Sequence, residues 1–286
     1  MGGEVAIELS LGAALAVIIF SFVFEYTDAT LGMGYGTTLT PVLLILNFSP
    51  LQIVPVVLLS QLISGLLAAF LHHREGNVNL KPKTTNVSTI IRKVKSLGYI
   101  ESFKRGFPRH LKIALLLAIG SIVGTVAAVF VAVNISKSWL NIYIGCTVLL
   151  MGVIILITMN KVYRFSKKKI ILLGLIASFN KGMSGGGYGP IVTGGQILSG
   201  VESKNAVGIT ALAEGLTCLV GVITYIFVTT DSINWRLAPY IIIGAICSIP
   251  FSVVSVKKIN AKKLKLAIAV VTIILGIAAL IKVFMF

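Results

Sequence analysis

Acidic residues are scarce in this chain. Only 9 Asp and Glu stand among its 286 residues, and charged residues of both signs make up 12%. A soluble domain carries about 25% charged residues to cover its water-facing surface. The shortage excludes an ordinary soluble enzyme and, with 56% hydrophobic residues, a disordered chain. Cysteine is nearly absent too. Cys146, Cys218 and Cys247 each sit in an apolar run without metal-ligand spacing and read as packing residues. No HExxH or CxxC pattern occurs, and no serine-triad constellation is expected. The chain is therefore expected to have no catalytic residues, no metal and no cofactor. The N-terminus has Glu4 and Glu8 where a secretory signal carries Lys or Arg, so the first apolar run is expected to stay in the fold.

What is present is basic charge, 25 Lys and Arg for a net +16. Such an excess raises either nucleic acid or a membrane surface as partner. Position decides. Twenty of the 25 fall in 72–112, 160–169 and 257–265, separated by long, nearly uncharged runs. That is a membrane pattern, and nucleic acid is excluded as a partner.

A membrane-spanning helix needs about 20 apolar residues. Seven stretches qualify or come close: 9–29, 51–71, 111–133, 139–159, 204–228, 237–256 and 263–285. Three are shorter, 37–47, 168–180 and 190–200. Two glycine-dense breaks, 28–36 and 181–190, interrupt the pattern. The predicted fold is all-α, a polytopic helical bundle.

The breaks match. A shift of 153 residues lays Gly32, Gly34, Tyr35, Gly36 and Thr40 on Gly185, Gly187, Tyr188, Gly189 and Thr193. Gln61 then meets Glu214, and Ser64 meets Thr217. The chain reads as two repeats, 1–159 and 160–286, with a basic insertion over 81–110 in the first only. Placing the three basic stretches in the cytoplasm puts both termini outside and runs 51–71 and 204–228 in opposite directions. The repeats are then inverted, the pattern of a secondary transporter with broken helices. The apolar and basic residues of 86–105 are expected to form a helix on the cytoplasmic membrane surface. His72 and His73 are expected at the interface.

The sequence Gly32-Met33-Gly34-Tyr35-Gly36 leading to Pro41, its second copy Gly185-Gly186-Gly187-Tyr188-Gly189-Pro190, and the polar turn Gly76-Asn77-Val78-Asn79 echoed by Ile233-Asn234-Trp235 resemble the sulfite exporter TauE/SafE family. The resemblance covers most of the chain outside the insertion. It departs where Tyr35 interrupts the first glycine run and where Gly194 replaces the second counterpart of Pro41. It implies a membrane transporter that moves sulfite, an organosulfonate or a similar small sulfur anion out of the cytoplasm.

The residues themselves suggest how. A helix N-terminus after glycine offers free N–H groups and partial positive charge to an anion. Gly32, Gly34, Gly36, Gly185, Gly186, Gly187 and Gly189 would admit it. Tyr35 and Tyr188 either donate hydroxyls or pack the repeat interface. Thr37 and Thr38 either donate to the anion or bond their own backbone. Lys181 either balances the anion's charge, forms an ion pair, with Asp28 as one candidate partner, or snorkels to the interface. Glu214, a lone carboxyl in mid-span, either carries a coupling proton, with Gln61 and Asp28 beside it, or is a protonated carboxyl making one helix–helix hydrogen bond. The alternative is a cation transporter or ion channel in which the breaks and Glu214 coordinate a cation.

Overall fold

A computed structural model describes residues 11–82, 96, 106–158, 167–198, 201–229 and 233–285. Apart from Ser96, the helix expected over 86–105 lies outside the described residues. Ten helices are described: α1 (Leu11–Leu31), α2 (Tyr35–Ile45), α3 (Pro50–Arg74), α4 (Arg109–Asn134), α5 (Lys137–Thr158), α6 (Lys167–Ser184), α7 (Tyr188–Leu198), α8 (Ser203–Val228), α9 (Ala238–Ser255) and α10 (Ala261–Met285). No strand occurs among the described residues. Among the described residues, seven helices are long and apolar enough to cross a membrane. Their outer faces carry exposed apolar side chains such as Phe70, Val123, Phe227 and Ile274. Such faces suit hydrocarbon, where apolar side chains need no burial. The chain is an all-helical, multi-pass membrane protein.

The breaks are tighter than the composition predicts. Helix α1 runs to Leu31 and α2 begins at Tyr35; α6 runs to Ser184 and α7 begins at Tyr188. Three residues make each turn, not nine or ten. Asp28 and Lys181 therefore lie in the last helical turns, not in loops. The turns depend on glycines with positive φ, +71° at Gly32 and +133° at Gly34, then +72° at Gly185 and +81° at Gly187. Residues with a Cβ are strained there. The 11 residues of α2 reach about 16 Å, half the thickness of a bilayer's hydrocarbon core. Helix α2 turns back beside α1, since Val17 shares one apolar cluster with Leu39 and Leu43. Likewise Ile170 of α6 clusters with Val192 of α7.

The long helices pack in pairs, α1 along α9, α6 along α4, α3 along α8 and α5 along α10. The α3–α8 crossing is close because Gly65 faces Ala211 and Gly215. Small residues at a crossing let membrane helices approach. Described parts of two basic segments meet at one end of the bundle, where the Asn79 N–H donates to His110 Nδ1 (3.1 Å) and Lys257 donates to Glu75 O (2.9 Å). His73, His110 and Asn205 line one cavity there, and Leu31, Ser203, Val256 and Lys265 line another. At the opposite end, Lys282 of α10 donates to Leu44 O (2.6 Å) and Ile45 O (3.1 Å). It caps the carbonyl end of α2, where a cation is favourable.

Candidate functional site

The two breaks lie against each other at the centre of the bundle. A Cβ at Gly36 would strike the Gly185 carbonyl, and one at Gly189 would strike the Gly32 carbonyl. Gly186 faces Gly36 and Thr37 in the same way. These glycines are needed because backbone packs on backbone.

Beside this crossing sits a polar network drawn from four helices. Lys181 of α6 is fully buried, and its Nζ lies 2.9 Å from Oε1 of Glu214 on α8. Lys181 also donates to Oε1 of Gln61 on α3. The Gln61 amide donates to Glu214 Oε1 (3.0 Å) and to Asp28 Oδ2 (3.4 Å). Asp28 Oδ1 accepts the Tyr35 N–H (3.2 Å), the first amide of α2. The network therefore joins Asp28 and Lys181, and Gln61 and Glu214, the same pairs that the 153-residue shift aligns. Gln61 and Glu214 stand near the middle of α3 and α8, which sets the network near mid-span.

Two expectations need correction. Glu214 is not a lone carboxyl; Lys181 is its ion-pair partner. Lys181 does not pair directly with Asp28, because the Gln61 amide stands between them and satisfies both. Lys181 is the one Lys or Arg buried among the described residues. Removing one member of a buried pair leaves an uncompensated charge and costs about 3–5 kcal/mol.

The residues expected to donate side-chain hydroxyls are already engaged. Tyr35 Oη lies 3.0 Å from Ser21 Oγ and 2.8 Å from Ser60 Oγ. Tyr188 Oη lies 3.4 Å from Ser121 Oγ. Both tyrosines are fully buried and tie the short helices to their neighbours. Thr37 and Thr38 donate to Gly34 O at 2.9 and 2.6 Å, bonding their own backbone. Gly182-Met183-Ser184-Gly185-Gly186 spells G-x-S-x-G, against the expectation that serine-nucleophile parts are missing. The arrangement differs from a nucleophile elbow, which joins a strand to a helix. Ser184 ends a helix and donates to Asn180 O (2.8 Å). Among the described residues no cluster of His, Cys, Asp and Glu is arranged for a metal ion.

The sulfite exporter TauE/SafE family profile matches residues 16–91 and 86–279. The chain belongs to this family. It is also similar to the probable membrane transporter protein YtnM of Bacillus subtilis (strain 168), with 22% identity over 260 residues, 85% of this chain and 76% of that one. No solved structure matches. Membership makes the chain one of a family of membrane transporters.

In this TauE/SafE member, two donors to the breaks' carbonyls escape the sequence reading. A helix that stops in mid-membrane leaves carbonyls that must find donors. His72 Nε2 lies 2.9 Å from Ala29 O, just before the first break. Asn77 Nδ2 donates to His72 Nδ1 (3.0 Å), so the proton on Nε2 is the one Ala29 receives. Tyr225 Oη donates to Gly182 O (2.9 Å), just before the second break. Both pairs obey the same shift: 72 maps to 225 and 29 to 182. His72 lies in the last turn of α3 and is fully buried within the protein. The shift aligned two different residue types, and only their shared role as donors relates them. Thr193 Oγ1, 2.7 Å from Gly32 O, bridges the breaks further.

Proposed function

We propose that this chain is a secondary-active transporter that exports a small sulfur-containing anion, sulfite or an organosulfonate, with proton coupling. The two repeats, 1–159 and 160–286, are inverted and work by alternating access. The basic ends of the bundle face the cytoplasm, as the positive-inside rule requires, and both termini lie outside.

The buried Lys181–Glu214 pair at the second break carries this reading. At the first break Asp28 already caps the first amide of α2, so that N-terminus holds a carboxylate of the chain itself. At the second break the equivalent residue is Lys181, which donates and cannot cap. The amide end of α7 and the Lys181 ammonium then offer positive potential together. Gly185, Gly186, Gly187, Tyr188 and Gly189 form the backbone cradle, and Lys181 holds the charge. Gly32, Gly34, Tyr35, Gly36, Thr37 and Thr38 support the cradle from the facing break.

An anion and the Glu214 carboxylate compete for Lys181. Protonating Glu214 removes the competitor, so anion binding takes up a proton. Gln61 and Asp28 hold the geometry during the exchange. Affinity for methanesulfonate, whose charge is constant across the range, is expected to rise as pH falls, by at most about tenfold per unit for one proton. Pure protein in lipid nanodiscs, titrated at several pH values, tests this. A flat pH dependence would contradict it. One observation favours a cation instead: Glu25, Asp28 and Glu214 outnumber Lys181. Sodium or potassium flux into proteoliposomes, independent of any sulfonate, would establish that alternative.

A further inference from the structure

We infer that Glu25 is a proton-binding site of the transport cycle, neutral in the conformation described and able to release its proton when the first break moves. The inference rests on the transporter reading and names the group that receives the coupled proton from solvent, a role distinct from that of Glu214.

Glu25 stands on α1, one turn before Asp28, with 1% of its surface exposed. Its Oε2 has no hydrogen-bond partner, and neither has Ser64 Oγ on α3, the hydroxyl that faces it. The charged and titratable groups around it are Asp28 on its own helix, Tyr35 on α2, Lys181 on α6, and Glu214 and Cys218 on α8. Helix α9, which packs along α1, contains no Asp, Glu, Lys, Arg or His. Lys181 is committed to Glu214 and Gln61, and Asp28 takes up the Tyr35 and Gln61 donors. Among the described residues no cation is left for Glu25, and the donor that faces it is the neutral Ser64 hydroxyl. An ionised carboxylate without partners in a low-dielectric interior is far costlier than a neutral carboxyl missing one hydrogen bond.

The second half shows what a structural residue looks like at the same places. Position 25 maps to Ser178 and 64 to Thr217. Ser178 donates to Leu175 O (2.9 Å) and Thr217 to Ala213 O (2.8 Å). Both are satisfied within their own helices. Glu25 Oε2 and Ser64 Oγ have no such partner in their own helices, and they lie beside a break that must move if access alternates.

The test uses the full chain in lipid. Infrared spectra at neutral pH are expected to show the carbonyl absorption of a protonated carboxylic acid, shifted by deuterium exchange. Glu25→Gln should remove it, Glu25→Asp should retain it, and Glu214→Gln should leave it in place. In proteoliposomes, Glu25→Gln mimics the neutral form. It should keep methanesulfonate counterflow and lose pH-gradient-driven accumulation by about tenfold or more. An absorption unchanged in Glu25→Gln, or accumulation equal to the parent, overturns the inference alone. If the parent moves neither sulfite nor methanesulfonate, the transport reading falls and the inference falls with it.

Discussion

The two glycine breaks have nearly the same backbone and opposite chemistry. Each begins four residues past an ionisable side chain, turns on two positive-φ glycines and starts an 11-residue helix with tyrosine. Each is braced by a donor on the following long helix, His72 for one and Tyr225 for the other. Yet the first break carries Asp28 and the second Lys181, and the facing long helices carry Gln61 and Glu214. Shared features mark what a helix needs in order to stop inside a membrane. Features that differ mark where charge is placed for a purpose. A helix end capped by its own carboxylate cannot also hold an anion, so the proposed anion transport places its anion at the second break.

The comparison can be broken first at the shared features. Gly36→Val and Gly189→Val should each destabilise the fold by more than about 3 kcal/mol, because a side chain would enter the facing backbone. Thermal unfolding in detergent checks this, and equal losses at both positions are expected. Next come the features that differ. Lys181→Met should cost about 3–5 kcal/mol by stranding Glu214. Asp28→Asn should cost only about 1 kcal/mol, since the amide oxygen of the new side chain can still accept the Tyr35 N–H. The double variant Lys181→Met with Glu214→Gln should recover much of the single loss. Smaller again, His72→Phe and Tyr225→Phe should each cost about 1–2 kcal/mol by orphaning a carbonyl. Last, Gly194→Ala meets nothing within 4 Å and should stabilise α7 by about 0.5–1 kcal/mol. A large loss there would show that α7 needs its glycines for more than the turn.

Much of this was legible in the sequence. Apolar run length located the helices, because hydrocarbon thickness sets a strict minimum. Two errors had one cause. Composition spread the breaks over nine and ten residues, but helix α1 continues through Asp28 and α6 through Lys181, since one charged residue does not stop a helix. The self-match paired Gln61 with Glu214 and Asp28 with Lys181, though it could not show which would touch. Cross-helix partners depend on crossing geometry, here the approach of α3 and α8 at Gly65 and Gly215. That geometry put the Gln61 amide between Lys181 and Asp28 and left the ammonium to Glu214. The donors His72 and Tyr225 stayed hidden because they differ in residue type, and a shared function without a shared side chain leaves no trace in a residue comparison.

The measurement that reaches furthest is methanesulfonate accumulation in proteoliposomes under an imposed pH gradient, comparing the parent with Glu214→Gln. The parent is expected to accumulate the anion together with protons. Glu214→Gln, in which nothing competes as an anion for Lys181, should bind methanesulfonate without pH dependence and fail to accumulate it. Accumulation by Glu214→Gln equal to that of the parent would contradict the role assigned to the Lys181–Glu214 pair.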